Sequence, residues 1–161
     1  MKNIMLGLLA TIVFSCASNA QKNEITNDDC NIEKVSKSKR EWKSQLDEMQ
    51  YSVAREAGTE RAFSGVYWDN KKKGVYKCIG CDLELYSSET KFKSGTGWPS
   101  YWEAVNPCNV KEIKDISFGM VRTEVVCARC ESHLGHIFND GPKPTGQRHC
   151  INSASLKFQE I

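Results

Sequence analysis

The chain has 161 residues, 40% of them hydrophobic and 26% charged, with 4 Pro and 9% aromatics, which excludes a fibrous or disordered chain and fits one globular domain. A formal charge of +2 excludes the strongly basic face that nucleic-acid capture requires. The 8 cysteines, four of them in two Cys-x-x-Cys pairs, direct attention to metal or redox chemistry.

Residues 1–20 read as an export signal: Lys2, an apolar stretch from Ile4 to Phe14, then small residues. The stretch is short of the ~20 residues that a membrane-spanning helix needs. Ser18-Asn19-Ala20 offers a cleavage site, and Val13-Phe14-Ser15-Cys16 resembles a bacterial lipoprotein box with Cys16 as the acylated residue. The expectation is therefore an exported protein, periplasmic or membrane-anchored as a lipoprotein. Residues 21–39 are polar and read as a flexible arm carrying Cys30, and residues 40–161 as the functional domain.

A helix is expected next, opened by the capping box Ser38 to Glu41, with Trp42, Leu46, Met49 and Val53 on one face and Gly58 at its stop. Beyond it the period shortens. Phe63 to Trp68, Val75 to Cys78, Leu83 to Tyr86, Ile116 to Val126 and His133 to Phe138 read as strands, with turns at 69–74 and 139–141. The body is mainly β.

Cys78-x-x-Cys81 and Cys127-x-x-Cys130 each follow a strand-like run, Val75-Tyr76-Lys77 and Val125-Val126. Two such turns offer four soft thiolates to one tetrahedral zinc, at roughly 2.3 Å each. The 45 residues between the pairs make this a staple for a whole domain, with a structural role. Redox couples, two disulfides, or iron in the same cage are the alternatives.

Arg148-His149-Cys150-Ile151-Asn152 places a cation two residues from a thiol, an arrangement that favours the nucleophilic thiolate; an inert buried cysteine is the plainer reading. His133 and His136 flank Gly135, where a turn could bring both imidazoles to one site, against core packing or metal duty. The loop Ser94-Gly95-Thr96-Gly97-Trp98-Pro99-Ser100 can hold an indole as a wall for a small apolar group, or Trp98 can be core.

Taken in order, the paired knuckles, SGTGWPS, HLGHIFNDGPKPTG and RHCINSASLKF resemble the type B methionine sulfoxide reductases from about Glu41 to the C-terminus. The resemblance implies two packed antiparallel β-sheets with a few short helices and a structural zinc. It implies reduction of the R epimer of methionine sulfoxide in peptides and proteins, an activity of protein repair under oxidative stress. Cys150 matches the family nucleophile and Trp98 the wall for the substrate methyl. His133, His136 and Asn152 match the polar groups around the oxygen and bound water, and Arg148 and Asp140 match supporting positions.

The expected chemistry is attack of the Cys150 thiolate on sulfur, leaving a sulfenic acid. A second thiol converts it to a disulfide for a thioredoxin-like reductant, or the reductant attacks directly. Many members carry a resolving cysteine between the two glycines before the Trp, where this chain has Thr96. The remaining cysteines make Cys30, on its mobile arm, the expected resolving thiol, with Cys108 as the alternative. A cysteine hydrolase and a non-catalytic zinc-stapled module that binds a protein are the competing functions. A monomer is expected.

Overall fold

The computed structural model describes residues 30–161, except for the side chain of Phe118. The export signal, Cys16 and residues 21–29 of the arm lie outside the described residues. Among the described residues, no helix is long and apolar enough to cross a membrane.

The expected single helix is two. Helix α1 (Lys39–Gln45) opens on the capping box of Ser38 and Glu41 and stops at Leu46, whose backbone is extended. Helix α2 (Glu48–Glu56) begins from a second capping box, Asp47 with Gln50, so the chain restarts rather than continues. The break changes which side chains face inward: Trp42, Leu46 and Val53 are buried, but Met49 is 54% exposed. At the C-terminus the left-handed residue is Ala57, at φ 53°, while the Gly58 N–H reaches back to the Ser52 carbonyl.

Among the described residues, nine strands form two antiparallel sheets. The smaller has the order β2 (Glu84–Ser87), β1 (Gly74–Cys78), β9 (Leu156–Glu160). The larger has the order β3 (Lys91–Phe92), β4 (Ser100–Tyr101), β8 (Arg148–Ile151), β7 (His133–Phe138), β6 (Arg122–Cys127), β5 (Val110–Asp115). The sheets meet through aromatic side chains: Tyr101 stacks on Tyr86 with ring centres 4.4 Å apart and meets Tyr76 edge-on at 5.3 Å. Leu85, Val125, Leu134 and Ile151 complete this dry layer.

Two strand expectations need correction. Phe63 to Trp68 forms turns, with Phe63 at φ 65°, and Ile116 to Val126 holds a 3-10 turn at Ser117–Gly119 before β6 starts at Arg122. Strand β5 was not foreseen because Val-Lys-Glu-Ile-Lys-Asp is largely exposed edge, where the apolar alternation is lost.

The arm is not free over its described part. Cys30 is disulfide-bonded to Cys108, with Cα atoms 5.4 Å apart. The Val35 N–H donates to the Arg129 carbonyl at 2.9 Å and Lys34 Nζ to the Ala128 carbonyl at 2.7 Å, so this segment lies along the second knuckle.

Candidate active site

The two Cys-x-x-Cys turns are built alike. Each closes a hairpin, β1 to β2 and β6 to β7. The first cysteine's carbonyl accepts from the residue after the second cysteine, Asp82 to Cys78 and Glu131 to Cys127, both at 2.9 Å. Asp82 and Glu131 take left-handed backbones, at φ 59° and 58°. This geometry turns both sulfurs of each pair inward. The four sulfurs lie within 4.8 Å of one another, and Cys78–Cys130 and Cys81–Cys127 are each 3.5 Å apart. Four ligands at about 2.3 Å from a tetrahedral ion stand about 3.8 Å from one another, so the donor set fits a metal site. Arg55 donates to the Cys130 carbonyl at 2.9 Å and packs over Trp42 at 4.7 Å, which fastens the helices to this corner.

Cys150 lies on the other face of the larger sheet from its tyrosine layer. Register places Ser100, Cys150, His136 and Glu124 side by side across β4, β8, β7 and β6, and cross-strand partners point to the same face. His133 is three residues before His136, a spacing that sends side chains to opposite faces of a regular strand. A β-bulge resolves this: the pairing steps from Val126↔His133 to Val125↔Gly135, leaving Leu134 as the extra residue. The two imidazole centres are then 5.5 Å apart. No turn forms at Gly135, contrary to expectation. The glycine is required because a Cβ there would sit 2.0 Å from the Cys150 carbonyl oxygen, so the residue lets β7 lie close against the strand of Cys150.

Carboxylates orient the basic groups. Glu124 accepts from His133 Nδ1 at 2.6 Å, Asp115 from His136 Nε2 at 2.9 Å, and Asp140 holds the Arg148 fork through bonds of 2.8 and 3.0 Å. Hydrogen bonds from Ser117, then from His136, hold the Asp115 carboxyl well below the usual range, and the Arg148 bond lowers that of Asp140. Burial lowers the pKa of His133 against the pull of Glu124. With Nδ1–H given to Glu124, the neutral ring carries its lone pair on Nε2, which is buried without a partner among the described residues. Burial raises the Cys150 thiol, while the hydroxyl of Thr96, the Arg148 guanidinium and Ser100 favour the thiolate. Thr96 Oγ1 is 3.9 Å from the sulfur and joins a hydroxyl chain through Ser94 (2.9 Å) to Ser100 (2.8 Å).

The sequence reading missed Glu60, whose carboxylate is buried at 5% exposure. It accepts from the Ser153 and Ala154 N–H groups at 2.6 and 2.9 Å. Its own backbone N–H donates to Asn152 Oδ1 at 3.0 Å, and its carbonyl accepts from Trp98 Nε1 at 3.1 Å. One residue thus holds both Trp98 and Asn152. An isolated Glu in a turn carries no pattern that announces this. Glu124, Asp115 and Ser100 were missed for the same reason, since their partners lie on neighbouring strands.

Cys150, His133, His136, Arg148, Asp140, Asn152 and Trp98 therefore belong to one connected site, while Cys30 and Cys108 do not. Cys108 precedes β5, three strand spacings from β8, about 14 Å. A disulfide needs Cα atoms within about 7 Å, and these two sulfurs are already joined to each other. The expectation of a mobile Cys30 is corrected, since Cys30 is tied to Cys108 and neither thiol of the pair is free.

Comparison with known proteins covers the part of the chain that holds these residues. The family model described as the SelR domain matches residues 46–160. A protein of Synechococcus sp. (strain RCC307) named peptide methionine sulfoxide reductase MsrB is 56% identical over 126 residues, 78% of this chain and 93% of the relative. Proteins of the same name from Thiobacillus denitrificans and Methanosarcina mazei are 58% and 57% identical, over 73% and 78% of this chain and 89% of each relative. The chain belongs to the SelR domain family, the family of these MsrB reductases.

Proposed function

We propose that this protein is an oxidoreductase that reduces the R epimer of methionine sulfoxide in peptides and proteins to methionine, with Cys150 as nucleophile. The observation that carries the reading is the constellation on one sheet face. Cys150, the free thiol outside the four-cysteine cluster among the described residues, stands opposite His136 and beside the His133–Glu124 and Arg148–Asp140 pairs. Family membership does not favour a thiol hydrolase or a non-catalytic module.

Attack needs the thiolate, which burial opposes and Arg148, Thr96 and Ser100 favour. As the Cys150 sulfur bonds to the sulfoxide sulfur, the oxygen gains charge and must be protonated. His133 presents a buried Nε2 that can order a water for this proton transfer, and His136, fixed by Asp115, stands across from the sulfur. The S–O bond is lost from the substrate, methionine leaves and Cys150 remains as a sulfenic acid. With Cys30 and Cys108 paired, an external thiol of a thioredoxin-like donor attacks that sulfenic acid directly, releasing water, and a second thiol opens the mixed disulfide. Trp98 forms the wall for the substrate methyl.

The ion we assign to Cys78, Cys81, Cys127 and Cys130 is zinc, which when bound supplies structural cross-linking of the two hairpins and takes no part in the reaction. We further propose export through the leader and acylation at Cys16, which radiolabelled palmitate incorporation lost in Cys16→Ser would test.

Turnover of an R-sulfoxide peptide with a dithiol, run beside its S epimer, tests the activity. Reduction of the R epimer alone is expected; equal rates on both, or none, would remove the assignment.

A further inference from the structure

We propose that the cleft beyond Trp98 holds the polypeptide flanking the oxidised methionine and selects for acidic side chains there. The inference rests on the activity proposed for Cys150. The cleft encloses about 280 Å³ and runs from Trp98 along the outer side of β3. Strand β3 lies two spacings from β8, about 10 Å, and an extended chain advances about 3.3 Å per residue. A substrate whose sulfoxide sits at Cys150 therefore reaches the cleft with the side chain about three positions away.

Besides Phe92 and Trp98, the apolar part of the lining is Phe63 and Trp68, packed edge-on with centres 5.3 Å apart, yet 56% and 37% exposed. The Phe63 turn and the Trp98 loop are fixed back to back. The Phe63 N–H donates to the Gly97 carbonyl at 2.8 Å, and a Cβ on Gly97, at φ 91°, would meet Phe63 N at 2.7 Å. The wall for the methyl group and the aromatic ledge are thus one continuous surface.

The charge on this surface is one-sided. Lys71, Lys72, Lys91 and Lys93 line it against Asp69 alone, a local surplus of three positive charges in a chain whose total is +2. The ion pairs available to these lysines are weak surface ones, Lys71–Asp69 at 3.7 Å and Lys72–Glu160 at 2.7 Å, and among the described residues Lys93 has none. Lys91 is held in place by donating to the Trp68 carbonyl at 3.2 Å. Burial lowers its pKa, so an arriving carboxylate relieves a charge that the cleft leaves poorly compensated.

Three R-sulfoxide substrates test this: a peptide with Glu three and four positions to either side, the same peptide with Lys, and a single methionine sulfoxide blocked at both ends. At low salt, kcat/KM for the Glu peptide is expected to exceed that for the Lys peptide by about ten-fold, and the gap to shrink in about 0.5 M salt. The double variant Lys91→Gln with Lys93→Glu is expected to erase the preference while reducing the blocked residue at the wild-type rate. Equal kcat/KM for the two peptides, or a preference that survives in the double variant, would overturn the inference while the blocked residue is still reduced. Failure of the wild type on all three substrates would overturn the underlying activity and the inference with it.

Discussion

The four-cysteine corner and the Cys150 face use the same side chain for opposite ends. At the corner the sulfurs face one another, Cys78 and Cys130 at 3.5 Å and Cys81 and Cys127 at 3.5 Å, gathered by two matching hairpin turns with Trp42 and Arg55 packed beside them. At Cys150 the neighbours are hydroxyls and a guanidinium, with carboxylates one shell behind that hold the basic groups in place. Four converging thiols need a cation to ionise together and then become inert. A single thiol beside a fixed positive charge can ionise and remain reactive. What surrounds a cysteine, and not its burial alone, decides its role.

The largest effect should come from breaking the corner. Cys127→Ser is expected to lose metal binding and the cooperative melting transition, because a structural metal in such a site, as for zinc, contributes roughly 10 kcal/mol or more to folding. Metal analysis and calorimetry check it, and an unchanged melt would remove the structural role. Cys150→Ser should do the reverse, lowering turnover by at least about a thousand-fold while leaving the midpoint of unfolding within about 2 °C. Steady-state kinetics beside a thermal melt decides this.

Between these extremes, Glu60→Gln turns one carboxylate oxygen into a donor facing a backbone N–H that already donates. A loss of about 1–3 kcal/mol in stability is expected, with a roughly ten-fold fall in kcat/KM as Trp98 and Asn152 shift together. Denaturant titration and kinetics on the same variant test whether the two losses coincide.

The remaining effect is one of pH, absent at neutrality. Burial lowers the His149 pKa to about 4. The unfolded chain, with His near 6.5, then binds the extra proton in the window between, so stability falls on acidification from pH 6.5 towards 4, by up to about 3 kcal/mol. An NMR titration of His149 checks the sign: protonation near 6.5 would refute it.

Legibility followed locality. The span of β7, His133–Phe138, was read to the residue because its apolar and aromatic run is self-contained, and both knuckles were read because spacing alone encodes them. The helix break was missed although Asp47 and Gln50 spell a second capping box, since the apolar face from Trp42 to Val53 reads straight across it. What stayed hidden was set by register. The bulge at Leu134, the alignment of His136 with Cys150, and the joining of Cys30 to Cys108 are each decided by residues distant in sequence. The reach of Glu60 to Trp98 and Asn152 belongs with them, since nothing in the turn that carries it announces these partners.

The bond between Cys30 and Cys108 also fixes where the described chain enters the domain. It pins the start of the described chain beside β5, one border of the six-stranded sheet, whereas β3 is the opposite border, five strand spacings or about 24 Å away. Any attachment made through the preceding residues pulls on the β5 border alone. The strand that carries Cys150 and the loop that carries Trp98 would stand clear of such an attachment, open to a bulky polypeptide from the far side.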